Sequence, residues 1–230
     1  KPHPKAPAFW RWRAYQEWLA SPQAQANVLL TDWGLTGMAR ESRMHVSVRA
    51  DTQTAQEGAL FQTSGLEFIS LLAQEDASPP ALAKAKGLGL VLDTDADLKE
   101  GLGFLGGERR IASWRRSAKS LPDCPEAVRK AIVASKHCRL ILATPASFAQ
   151  GFLPDAAALS RVGVTAAVQA VVNSRYQVVS GWDYDIDRPK PTRRLAPAGS
   201  VYFLRLDGSK EAINRFVDAV WLQAISDDEQ

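Results

Sequence analysis

Two short stretches of this chain place glycine beside arginine just ahead of an apolar run. In one, Gly106 and Gly107 precede Arg109 and Arg110; in the other, Lys190, Arg193 and Arg194 precede Gly199 and Ser200. Glycine lets a backbone come close to a phosphate and expose its N–H groups, and a guanidinium offers a planar fork to the same anion. Each stretch leads into a predicted strand, within GERRIASW or GSVYFLRL, so a sheet would display the cations at its edge or on its face. The chemistry this predicts is phosphate contact, or the ordering of loops that make it. The plainer alternative is a solvated loop, in which Glu108 pairs with a neighbouring arginine and closes a turn.

Other chemistry finds little support. Gly101, Gly103 and Gly106 satisfy GxGxxG, but the apolar run before them ends at Asp93 and a strand pattern follows, where a dinucleotide site needs a helix. There is no GxSxG elbow and no GxxxxGK loop, and His3, His45 and His137 stand at no metal-ligand spacing. His45 could act as a general base on a ribose hydroxyl, with Tyr176 or Tyr184 as its acid partner, although a structural histidine is the simpler reading. No catalytic residue, metal or cofactor is therefore assigned. Cys124 and Cys138 form no CxxC pair and read as buried or incidental thiols of a reducing compartment.

The elements that must position these residues follow from periodicity. Behind a proline-rich opening, KPHPKAP, the stretch AFWRWRAYQEWLA repeats Trp12, Tyr15 and Leu19 at helical spacing and should end near Ser21 and Pro22. Its aromatic stripe, interleaved with Arg11 and Arg13, could stack on bases but reads better as core. HVSVRA and ALFQTSGLEFISLL predict an antiparallel hairpin across the turn DTQTAQEG, and GLGLVLD a strand of the same sheet. PEAVRKAIVAS predicts a helix and CRLILATPASF a strand ending at Thr144 and Pro145. VGVTAAVQAVV predicts a strand or, given its alanines, a helix, and SRYQVVSGWDY one further strand. The prolines of DRPKPTRRLAPAG should hold a loop away from the sheet, and SKEAINRFVDAVWLQAI, capped by Ser209, is an amphipathic helix laid on it. The mixture predicts an α+β fold.

At 230 residues and 46% hydrophobic, the chain can bury one large core or two small ones. The formal charge is only +3, yet five basic residues and no acid lie between Arg188 and Arg205, and the same holds from Arg109 to Lys119. Local patches on a nearly neutral chain suit a specific polyanion site. Neither a run long enough to span a membrane nor a secretory signal is legible, so no membrane partner and a cytoplasmic location are expected.

Taken in order, HVSVRADTQTAQEGALFQTSGLEF, LGGERRIASW, RLILATPASFAQGFLP and GWDYDIDRPKPTRRLAPAGSVYFLRL resemble the family of third subunits of the Cmr module, the type III-B CRISPR RNA-guided effector, within the RAMP superfamily. The resemblance runs from about Met44 to Trp221 and implies a ferredoxin-like fold, a mainly antiparallel sheet packed by helices. On that basis residues 1–43 would be a linker and a short aromatic helix and residues 44–230 the RAMP region, with an N-terminal half of the family fold missing. It implies a non-catalytic subunit that holds the 5′ handle of the guide crRNA and docks the large palm-domain subunit and a backbone RAMP subunit in antiviral defence. Relatives that process CRISPR precursor RNA raise the alternative of a metal-independent endoribonuclease. In a third reading the basic loops dock on acidic surfaces of a partner subunit.

Overall fold

The computed structural model describes residues 7–22, 30–35, 37, 40–66, 89–92, 94–106, 110–117, 121–160 and 162–227. They fall into two compact units, Lys1–Lys119 and Ser120–Gln230.

In the first unit, β1 (Phe9–Trp10) leads into α1 (Trp12–Ala20), followed by α2 (Leu30–Trp33) and β2 (Gly34–Leu35), which pairs antiparallel with β1. The aromatic periodicity does form a helix, and it stops where the sequence said it should. The Ser21 N–H still donates to Glu17 O at 3.0 Å, and Pro22 cannot extend the pattern. The stripe is not buried core, however: no residue of α1 is buried. Instead Trp10 gathers Tyr15, Trp18 and Trp33 around itself, with ring centroids 5.8, 5.5 and 4.7 Å away. Gly34 makes this approach feasible, because a Cβ there would lie 2.0 Å from the carbonyl oxygen of Phe9.

The predicted hairpin is present as β3 (Arg40–Val48) and β4 (Ala55–Leu66); both strands begin earlier than the alternation suggested, and residues 67–72 of the second lie outside the described residues. Its turn is closed by Arg49 N–H on Thr54 O at 2.9 Å, with Gln53 in the left-handed region at φ 54°. The Arg49 guanidinium holds the Asp51 carboxyl below its ordinary pKa. A third strand from GLGLVLD is not seen among the described residues: 89–92 are exposed and outside any strand, the rest of that stretch lies outside the described residues, and among those described β3 and β4 pair with each other. An apolar run of strand length reports hydrophobicity and says nothing of a hydrogen-bonding partner. The GxGxxG stretch is itself a strand, β5 (Gly101–Leu105), paired antiparallel with β6 (Arg110–Trp114).

The second unit begins with α3 (Glu126–Ser135), which ends on Lys136 in the left-handed conformation at φ 56°. Then come β7 (His137–Ile141), α4 (Ala156–Leu159) and β8 (Thr165–Val172). A run of short strands follows, β9 (Gln177–Val179), β10 (Trp182–Asp183), β11 (Arg188–Pro189) and β12 (Arg193–Leu195), before β13 (Val201–Asp207) and α5 (Lys210–Val220). The main sheet has the order β7-β13-β8 and is antiparallel throughout. VGVTAAVQAVV is therefore a strand: pairing along the whole of β13 overrides the helix preference of its alanines.

Burial along β13 alternates, with Tyr202, Leu204 and Leu206 at 1% exposure or less, as a half-covered strand requires. Those three share one core cluster with Ala212, Ile213 and Phe216 from the apolar stripe of α5. The Ser209 hydroxyl accepts from the Ala212 N–H at 3.2 Å and caps that helix as predicted. Arg129 of α3 reaches Asp218 at 2.5 Å and Asn214 O at 3.2 Å, and Trp221 Nε1–H donates to Pro122 O at 2.7 Å, so both helices are tied together on one side of the sheet. Described residues of both units thus give a mixed α+β chain with antiparallel sheets, and no helix among them is long and apolar enough to cross a membrane.

Candidate nucleic-acid interface

The basic run that was expected to be a loop is the returning arm of a ribbon. β12 pairs with β9 and β11 with β10, so the chain goes out through Gln177–Asp183 and comes back through Arg188–Leu195. SRYQVVSGWDY is accordingly two strands, interrupted where the Ser180 hydroxyl donates to Lys190 O at 2.8 Å and Lys190 N–H donates to Gly181 O at 2.8 Å. Pro189 is tolerated because each strand of a two-stranded ribbon is an edge, with N–H groups that need no ladder partner on one side. From Val172 to Arg194 every residue is exposed except Asp183, which is half-buried.

Register decides what the cations can do. Arg193 lies opposite Val179 and Arg194 opposite Val178. Successive residues of a strand point to opposite faces, so the two guanidiniums serve different sides of the ribbon and cannot form one fork on one phosphate. On its side Arg194 lies over the ring of Tyr176, 5.0 Å from the centroid, and Arg175 approaches the same ring at 5.9 Å. A guanidinium seated on an aromatic face keeps its edge N–H groups available for an anion. Lys190 has a clamped backbone and an exposed side chain.

Charge is divided along the ribbon. Its far turn holds Asp183, Asp185 and Asp187: Trp182 Nε1–H donates to Asp187 Oδ1 at 3.2 Å, and Asp185 N–H donates to Asp183 Oδ1 at 3.0 Å. Arg188 stands among them, opposite Asp183, so the turn keeps an excess of carboxylates, whereas Arg175, Arg193 and Arg194 lie at the opposite end, next to the main sheet, with no acid among them. A polyanion would be drawn to that end and repelled from the turn.

Gly199 and Ser200 build the approach to β13. Gly199 adopts φ +83° and donates its N–H to Leu142 O at 2.7 Å, while Ser200 is 1% exposed and spends its hydroxyl on Pro197 O at 2.7 Å. Of the two roles expected for these residues, phosphate contact or loop ordering, the geometry of Ser200 fits the second. Gly106, at φ +80°, turns the chain out of β5, and Arg110 opens β6 opposite Leu105; Gly107 and Arg109 lie outside the described residues.

His45 sits half-buried on β3, its Nε2 2.8 Å from Thr63 Oγ1 across the hairpin and its ring stacked on Phe61 at 5.2 Å. Those contacts suit a structural histidine. Among the described residues no group of three or more His, Cys, Asp or Glu side chains is placed to hold a metal ion.

A family model described as CRISPR-associated protein (Cas_Cmr3) matches residues 1–228. The chain belongs to this family. Membership implies partnership with other subunits of the Cmr module, and it corrects one expectation: residues 1–43, placed outside the family region from the sequence, are inside the match, so a missing N-terminal half is unsupported. No curated protein matches the chain. Sequence reasoning passed over Arg175 and, as an anion-site residue, Tyr176. The signal that could have found them is Tyr176 just ahead of β9, two residues before the Val178 that faces Arg194, legible only once the register is known.

Proposed function

We propose that this Cas_Cmr3 family chain is a non-catalytic RNA-binding subunit of a type III-B CRISPR ribonucleoprotein. In this reading it anchors the 5′ handle of the guide crRNA and docks the large palm-domain subunit and a backbone RAMP subunit, in antiviral defence. The observation that carries it is the ribbon's basic end, where Arg175 and Arg194 lie over the ring of Tyr176 on one face and Arg193 projects from the other, on an exposed, hydrogen-bonded support. The handle's phosphates match that charge, and the exposed apolar side chains of Val178, Val179 and Trp182 on the same ribbon give a protein neighbour something to cover. A ferredoxin-like fold is supported by the main sheet, whose strands run first, third, second in chain order with α5 following β13.

Photo-crosslinking in the assembled complex tests the assignment. Handle nucleotides should crosslink to peptides spanning Arg188–Leu195; crosslinks from that segment to protein alone would refute RNA anchoring and leave docking in its place. Precursor repeat RNA incubated with the chain and a chelator should yield no discrete product, whereas a defined cleavage product would establish the endoribonuclease reading.

A further inference from the structure

The main sheet of the second unit has a face that its core does not use. Tyr202, Leu204 and Leu206 of β13 point to the core, together with Cys138 and Leu140 of β7 and Ala166, Val168 and Val171 of β8. α3, α4 and α5 send Ile132, Leu159, Ile213 and Phe216 to that same side. Strand geometry then puts Val201, Phe203, Arg205 and Asp207 on the other face. The register says who joins them there. Phe203 lies between Arg139 and Ala170, and Arg205 between His137 and Ala167, with a bulge after Phe203 absorbing Gln169.

This places an aromatic ring on the central strand of an antiparallel sheet, 38% exposed, with an arginine as its direct cross-strand neighbour on one side and an alanine on the other. Directly paired side chains stand roughly 4.5–5.5 Å apart at Cβ, so one nucleotide's base and phosphate fall within reach of Phe203 and Arg139 together. The small side chains of Ala167 and Ala170 leave the ring's approach open toward β8. Among the described residues of these three strands, Arg139 and Arg205 outnumber the one carboxylate of this face, Asp207, at its far corner. An apolar protein partner would have to desolvate the exposed Arg205 guanidinium, whereas a phosphate backbone pairs with it. An aromatic platform with cations beside it is a general solution to holding an unpaired base.

We infer that this open face is a second single-stranded RNA contact, in which Phe203 stacks on one nucleobase and Arg139 and Arg205 meet the flanking phosphates. It rests on the reading of the chain as an RNA-binding subunit, but it uses none of the ribbon's residues. The test is fluorescence anisotropy of the full chain with a single-stranded 5-iodouridine oligoribonucleotide, followed by irradiation and mapping of the crosslink. Phe203→Leu should weaken binding roughly 5- to 100-fold with the salt slope retained, and Phe203→Tyr should bind like the parent. The crosslink should map to β13, should persist in the Arg193→Ala, Arg194→Ala double variant, and should not be competed by duplex RNA, whose bases are already stacked. Parent-like affinity of Phe203→Leu, with an unchanged thermal unfolding midpoint, overturns the proposal, as does a crosslink that avoids both β13 and β7. If those results come with a double variant that still loses affinity, the ribbon reading survives without this face; if no form of the chain binds RNA, the RNA reading falls as well.

Discussion

Arg194 illustrates how one contact converts a surface cation into a positioned one. An exposed arginine samples many rotamers, and seating it on Tyr176 at 5.0 Å narrows them before any anion arrives. Such a contact at an exposed site contributes about 0.5–1 kcal/mol. Tyr176→Leu should accordingly lower handle affinity by roughly 2- to 5-fold while Tyr176→Phe preserves it, and neither should alter the salt slope, since no charge is lost. An equal loss in both variants, measured by anisotropy across a salt series, would assign the tyrosine a hydroxyl role instead. Cys138 shows the opposite case, a group silenced by its surroundings. Burial on the core side of β7 pushes its thiol up to about 12, which leaves almost no thiolate at neutral pH. Iodoacetamide at pH 8 should leave Cys138 unlabelled in the native chain and label it once the chain unfolds. The cations were legible as candidates from residue type and spacing. Their division between two faces was not, because it depends on which residue of β9 each one opposes.

At the scale of elements, the parts read correctly from sequence were those whose pattern carries its own period. α5 repeats its apolar residues every three or four positions behind a Ser209 cap and was recoverable without knowing its neighbours; β13 was legible as an apolar run of strand length, whereas its alternating burial depends on the helices that cover one face. Phe216, 1% exposed, joins the two, and Phe216→Ala should cost about 3–5 kcal/mol of stability in a denaturant titration. A cost near that of an exposed site would mean that α5 does not close this core. The described part of GLGLVLD, residues 89–92, departs from its prediction for the converse reason: its apolarity is real, but among the described residues no strand pairs with it. The ribbon was misjudged as a free loop because proline was read as a barrier to pairing. An edge strand accepts Pro189 so long as its missing N–H faces away from the ladder.

For the molecule as a whole, two compact units and a family match across residues 1–228 set the frame within which the ribbon acts. The formal charge of +3 would not by itself hold an RNA; what matters is that one end of an exposed support in the second unit carries Arg175, Arg193 and Arg194 without an acid, while at the other three carboxylates outnumber Arg188. Binding of this kind is driven by counterion release, so its salt dependence counts the phosphates that are touched. The decisive measurement is therefore the affinity of the assembled complex for the guide handle across a salt series, for the parent and for the Arg193→Ala, Arg194→Ala double variant. Anchoring through the ribbon predicts weaker binding and a slope flatter by about 0.7 for each arginine that meets a phosphate. A double variant with the parent's affinity and the parent's slope would contradict it.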